Sequence, residues 1–370
     1  MDYGRLDTEK TNARSEHLDQ MSALEIVTLM NELDAGALSA VRCSLSEIAR
    51  VAEEAAARIP AGGRLIYMGA GTSGRLGVLD ASECPPTFGV PDSMVVGIIA
   101  GGDVALRTAV EGAEDSEALA MEELDRLRVC AKDVVVAISA SGTAPYCVGA
   151  LKKAREAGAL PVSMCCNTGA KLSGYADIAI EMPTGAEVLS GSTRLRAGTA
   201  TKLALNMIST ACMVRMGKAY KNLMVDVRAT NTKLKDRAVR IAMKAMNVQR
   251  AEAEARLAAA DGNIKCAIVM KETGARDAFA AAPEEIQKDD RVSILAGVAA
   301  IEVGEYAYMD EMFRMPHAAV REGETSLTDL WFRREAAREA EKRGVKVTDQ
   351  LVEEMRHTLT PPREIDFRMS

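Results

Sequence analysis

Aromatic residues are scarce in this 370-residue chain, where five Phe, seven Tyr and one Trp make up only 4%. Six of them lie in residues 1–274 and seven in the last 96, so the C-terminal quarter differs in character from the rest. Histidine is scarcer still. His17, His317 and His357 are the only three, which leaves little material for a histidine-centred metal site or a Ser-His-Asp triad. Cysteines stand at 43, 84, 130, 147, 165, 166, 212 and 266, mostly in apolar surroundings and without a C-x-x-C pair, so zinc and redox motifs lose sequence support. No run approaches the roughly 20 apolar residues that cross a bilayer, and the first seven residues carry no apolar stretch of a secretory signal. A net charge of −7 offers no basic field to nucleic acid or anionic lipid. These absences lead us to expect a cytoplasmic protein that binds neither nucleic acid nor membrane.

What is present is an ordinary globular balance of 48% apolar and 27% charged residues, in a chain long enough for two to three domains at about 150 residues each. Residues 15–59 carry apolar side chains at three- and four-residue spacing and predict a helical lead-in. Short Val- and Ile-rich runs follow at 65–68, 94–99, 133–138, 161–165 and 177–180. Their apolarity is continuous rather than alternating, as in strands covered on both faces. Helical stretches such as 115–128 and 145–157 separate them, so the pattern is βαβ. The fold class is therefore α/β, a doubly wound parallel sheet of five strands flanked by helices. Long helices are expected at 198–216 and 231–248, with two or three short ones at 249–275. The divisions are a helical N-terminal segment (1–60), the sheet domain (61–230), a helical region (231–275) and an extension (276–370) expected to be helical, with one helix at 327–343.

Ligands of open α/β sheets sit beyond the C-terminal ends of the strands. After the first strand comes Gly69-Ala70-Gly71-Thr72-Ser73-Gly74-Arg75, a turn that feeds a helix whose first N–H groups can hold an anion. It matches G-x-G-x-x-G, which raises a dinucleotide-binding alternative. That alternative calls for an acid at the end of the second strand, where the sequence has Ala100-Gly101-Gly102 and then Asp103. After the third strand, Ser139-Ala140-Ser141-Gly142-Thr143 puts three hydroxyls in five residues, a cradle for phosphate oxygens or, alternatively, helix capping. Glu83 lies among small and apolar residues where partial burial would raise its pKa, and Glu114 follows the second strand. Two carboxylates facing one sugar could divide acid and base roles; the alternative is a pair of solvated helix-end acids.

The same residues carry a family resemblance. The run from Gly69 to Gly89, including Asp80-Ala81-Ser82-Glu83-Cys84-Pro85-Pro86, closely resembles the signature of the N-acetylmuramic acid 6-phosphate etherases. The likeness continues through Val110–Asp115, Ser139–Pro145, Gly191-Ser192-Thr193-Arg194, Asn222–Val227 and Ala229-Thr230-Asn231, and covers roughly residues 10–275. Glucokinase regulatory proteins share the sugar isomerase (SIS) fold of that family but carry two such domains, and one is legible here. The resemblance implies a cofactor-independent lyase of cell-wall recycling that releases D-lactate and N-acetylglucosamine 6-phosphate by elimination and water addition. It matches Glu83 to the proton donor and Glu114 to the second catalytic acid, for removal of the C2 proton. It matches Thr72, Ser73, Ser139, Ser141 and Thr143 to the phosphate-holding hydroxyls, and Ser192 and Thr193 to a loop near the sugar. Arg194 belongs either to that loop's chemistry or to a structural salt bridge. Family members pair through their SIS domains with the site completed across the interface, so a homodimer is expected. Residues 276–370 match nothing in the family. A sugar-phosphate-binding regulator without catalytic activity is the alternative function on the same fold.

Overall fold

A strand whose side chains are all apolar can be stable only if both of its faces are covered, and helices on both sides supply that cover. The computed structural model describes residues 3–227, 232–260 and 262–273. It divides into two compact units, Met1–Lys218 and Ala219–Ser370.

In the first unit, β1 (Leu65–Gly69), β2 (Val95–Ile99), β3 (Val134–Ile138), β4 (Leu160–Cys165) and β5 (Ile178–Glu181) form one sheet in the order β2-β1-β3-β4-β5. Every pairing is parallel. The expected strands differ from these by at most one residue at either end. The helices are α1 (Ala23–Arg42), α2 (Leu45–Arg58), α3 (Gly71–Phe88), α4 (Glu117–Arg126), α5 (Pro145–Glu156) and α6 (Arg196–Arg215). Because side chains alternate along a strand, neighbouring residues enter opposite layers. Leu65, Tyr67, Val134, Val136, Val162 and Ile180 pack with α2 and α6. Ile66, Met68, Val135 and Ala137 pack with α4 and α5 on the other face. The doubly wound reading of the sequence is thus the observed architecture.

The lead-in departs from expectation at its start. Where a helix is expected from Ser15, the chain forms the short 3-10 turn Leu18–Gln20, after the turns Asp7–Glu9 and Ala13–Ser15, and α1 begins only at Ala23. The cause is local. Ser22 and Glu25 form a reciprocal capping box, with the Ser22 amide donating to Glu25 Oε2 at 2.7 Å and the Glu25 amide to Ser22 Oγ at 3.4 Å. Helical apolar spacing sets the face of a helix, whereas the cap sets where it starts.

In the second unit, α7 (Thr232–Met246), α8 (Arg250–Ala259) and α9 (Ile264–Thr273) pack through Ala238, Ala242, Met246, Ala253, Leu257, Ile264 and Ala267. The expected helix at 327–343, the extension 276–370 and the Ala229-Thr230-Asn231 motif lie outside the described residues. Among the described residues no helix is long and apolar enough to cross a membrane.

A fork-like ion pair fixes the N-terminal edge of the sheet. Arg64, just before β1, donates from Nε to Asp133 Oδ1 at 3.0 Å and from Nη2 to Asp133 Oδ2 at 2.7 Å. Asp133, just before β3, is fully buried and also accepts from the Cys130 amide at 2.9 Å. Removing one partner strands the other. We expect Asp133→Ala to lower unfolding free energy by about 3 kcal/mol in a urea titration, the usual cost of breaking a buried pair. The ligand loops lie about 16 Å away across five strand residues, so ligand affinity of the folded fraction should not change.

Candidate active site

The chain leaves β1 for β2 on one side and β3 for β4 on the other, so a crevice opens where these neighbouring strands end. Gly69 ends β1 opposite Ile138, the last residue of β3. The two loops singled out in the sequence therefore lie side by side. Gly74 brings α3 so close to the sheet that a Cβ there would sit 2.4 Å from the Gly69 carbonyl oxygen. No side chain caps the first turn of α3, which leaves the amides around Thr72 and Ser73 to an incoming anion.

Across the crevice the hydroxyls of the β3 loop form a chain. Ser139 Oγ lies 3.2 Å from Ser141 Oγ, which lies 2.8 Å from Thr143 Oγ1. The Gly142 amide donates to Ser139 Oγ at 3.2 Å and the Thr143 amide to Ser141 Oγ at 3.3 Å. The turn needs glycine at 142, where φ is +73° and a Cβ would meet that of Ala170 at 2.5 Å. The capping alternative does not hold for this loop, since α5 starts at Pro145 without a side-chain cap. By contrast α6 is capped by an internal acid, buried Glu187, which accepts from the Arg196 amide at 3.0 Å and the Ala197 amide at 2.8 Å. The helices at the crevice are open to an anion and the one beside it is closed.

The third loop approaches the same place. A Cβ on Gly198 would lie 3.5 Å from the Thr193 carbonyl oxygen and 3.7 Å from Thr72 Cγ2, so the loop holding Ser192 and Thr193 meets the start of α3. Arg194 is exposed and has no ion pair among the described residues.

The two carboxylates part company. Glu114 sits in the 3-10 turn Ala113–Asp115, packed on α5. Although its surface remains open to solvent, the surrounding protein desolvates its carboxyl and pushes the pKa up, with the charge of Asp115 adding to the effect. Burial pushes the Cys147 thiol, in the first turn of α5, up to about 12, and the charge of Glu114 adds to that rise. Glu83 lies apart from the crevice. It lies ten residues beyond Ser73 on α3, about 15 Å along the helix, and it is exposed rather than partly buried as the sequence suggested. Apolar neighbours in sequence do not bury a residue that faces out of its helix. One turn earlier, buried Asp80 ties α3 to α6, accepting from Asn206 Nδ2 at 2.6 Å and Ser209 Oγ at 3.1 Å. Burial raises the Asp80 pKa, and these donors oppose that rise.

Sequence reasoning passed over Glu187, Asp80 and Asn167. The last follows β4, at the kind of strand-end position that the loop rule marks, yet a lone Asn carries no motif. The dinucleotide alternative finds no support in the topology: the order 2-1-3-4-5 differs from 3-2-1-4-5-6, and Asp103 is exposed in a turn whose carbonyls, at Ala105 and Leu106, are held by Arg75. Among the described residues no group of three or more His, Cys, Asp or Glu is placed to hold a metal.

Comparison with known proteins accords with this geometry. Residues 47–155 match the glucokinase regulatory protein N-terminal SIS domain, and residues 108–211 match the SIS domain. An N-acetylmuramic acid 6-phosphate etherase from Geobacillus sp. is 54% identical over 72% of this chain and 90% of its own length. One from Mycolicibacterium smegmatis is 52% identical over 80% of this chain and 100% of its own length. Among solved structures, a phosphoheptose isomerase from Francisella tularensis is 19% identical, covers 52% of this chain and 97% of its own, and superposes with a TM-score of 0.39. Half of the aligned positions shared over nine-tenths or more of these two bacterial etherases is far more than a common fold brings, and the chain belongs to the N-acetylmuramic acid 6-phosphate etherase family.

Proposed function

We propose that the protein cleaves the D-lactyl ether of N-acetylmuramic acid 6-phosphate to N-acetylglucosamine 6-phosphate and D-lactate, in amino-sugar catabolism and peptidoglycan recycling. The observation that carries this reading is the identity to named etherases across 72% of the chain. The hydroxyl chain of Ser139, Ser141 and Thr143, set between two uncapped helix N-termini, supports it as the seat of the phosphate. Thr72 and Ser73 complete that seat, and Ser192 and Thr193 flank the sugar.

In the open-chain sugar the aldehyde acidifies the proton on C2, and a carboxylate removes it. Glu114 takes this role, because a raised pKa makes it a stronger base than a solvated acid. The C3–O bond then breaks, and lactate departs with a proton from an acid, the role of Glu83. Glu83, now a carboxylate, takes a proton from water as the hydroxyl adds to C3 of the resulting C2–C3 double bond, and Glu114 returns its proton to C2, so that both acids regain their starting states. No cofactor enters this scheme. The eight free cysteines support a reducing, cytoplasmic setting.

Glu83 cannot serve the crevice of its own chain from about 15 Å away. We place it in the site of a second copy, as a homodimer would allow. Its exposure, one turn from exposed Leu79 on α3, supports that placement. Mixing dimers of Glu83→Ala and Glu114→Ala should then recover activity that neither has alone, since each hybrid keeps one intact site; no recovery would exclude the shared site.

The direct assay is release of D-lactate from N-acetylmuramic acid 6-phosphate. Wild type should release it, and Glu83→Ala should lower kcat by about a hundredfold or more, the usual worth of a proton-transfer group. Binding without release would instead favour the regulator reading suggested by the likeness of residues 47–155 to the glucokinase regulatory protein. The pH profile tests Glu114. Its base form exists only above its pKa, so kcat/KM should rise with pH through a limb lying above the ordinary glutamate value of 4.5. Asp115→Asn removes a neighbouring negative charge and should move that limb to lower pH.

A further inference from the structure

The N-terminal segment reaches the candidate phosphate seat. Thr8 stands in a charged and polar stretch, in the turn Asp7–Glu9, yet it is fully buried. Its amide donates to Asn167 Oδ1 at 3.3 Å, and its hydroxyl accepts from Asn167 Nδ2 at 3.0 Å. Asn167 is itself buried, and the same Nδ2 donates to the carbonyls of Ala140 and Ser141, both at 3.2 Å. Those two carbonyls belong to the hydroxyl loop. A single amide group therefore spans from residue 8 to the peptides on either side of Ser141.

The consequence is geometric. A peptide unit is planar, so fixing the Ala140 carbonyl also fixes the direction of the Ser141 N–H, and fixing the Ser141 carbonyl fixes that of the Gly142 N–H. Ser141 Oγ is the middle member of the hydroxyl chain. The segment continues along the rim of the site: Glu9 Oε2 lies 3.4 Å from where a Cβ on Gly191 would stand, and Asn12 Nδ2 donates to the Ala186 carbonyl at 3.3 Å. That carbonyl also accepts from Arg196 Nη2 at 2.5 Å, at the start of α6. Short as it is, the segment touches both the hydroxyl loop's anchor and the Gly191–Arg194 loop.

We propose that Thr8 and Asn167 form a latch that positions the hydroxyl loop for the substrate's phosphate, so that docking of the N-terminal segment sets substrate affinity. Both are positioning residues, acting through Ser141 and its neighbours rather than on the reacting atoms. The inference rests on the sugar-phosphate reading above.

Full-length Thr8→Val keeps the side chain's shape and removes the hydroxyl, one of the three acceptors that Asn167 Nδ2 faces and the one that ties it to the N-terminal segment. For loss of one such bond we expect KM to rise about tenfold with kcat held within about twofold, and inorganic phosphate to bind about tenfold more weakly by calorimetry. Thr8→Ser retains the hydroxyl and should restore both values. Asn167→Asp, which cannot donate, should give the same pattern more strongly; should it not fold, Thr8→Val decides alone. Unchanged KM and phosphate affinity in Thr8→Val, a defect equal in Thr8→Ser, or a loss confined to kcat would each overturn the latch. Failure of wild type to release D-lactate would count against the proposed function instead, and the phosphate affinities of the same variants would still decide the latch.

Discussion

β1 and β3 lie side by side with Gly69 opposite Ile138, and the location of the crevice follows from that pairing. Parallel neighbours cannot be joined by a hairpin, so the chain must leave each strand through a helix. With β2 on the outer side of β1 and β4 on the outer side of β3, those helices depart in opposite directions. The gap between them exposes the first turns of α3 and α5. Arg64 and Asp133 pin the same two strands at their other ends, where a fork of hydrogen bonds holds the register on which the crevice depends.

The electrostatics of the crevice then make sense of its composition. An acidic protein has no general field for an anion, so the attraction has to be local. The crevice offers uncapped amides, aligned peptide dipoles and a chain of hydroxyls, groups that can hold an anion without a cation that would keep nearby carboxylates charged and weakly basic. Glu114 is accordingly left with desolvation and Asp115 as its main influences, both raising its pKa. Where a helix start beside the crevice has no such duty, at α6, buried Glu187 occupies it.

Much of this was legible in one dimension. Strand ends were readable to within a residue because continuous Val and Ile runs have no other stable use between helices. The two loops were readable because glycine and clustered hydroxyls mark tight turns at strand ends. Other features left no such trace. The start of α1 at Ala23 depended on a reciprocal bond between Ser22 and Glu25 that overrode the apolar spacing. The burial of Thr8 depended on Asn167, a partner 159 positions away.

The sequence by itself determined the layered sheet, the place of the glycine- and hydroxyl-rich loops at the strand ends and the family, since each rests on local pattern or on residues shared in order. Tertiary structure alone decided which of those residues meet. It brought Thr72, Thr193 and the Ser139–Thr143 hydroxyls to one crevice, and it left Glu83 on an exposed helix face about three helical turns away. The physical reason is that a helix advances only 1.5 Å per residue and rotates each side chain by a fixed angle. Proximity along the chain therefore says little about facing, and Glu83, only ten residues beyond Ser73 on α3, faces solvent.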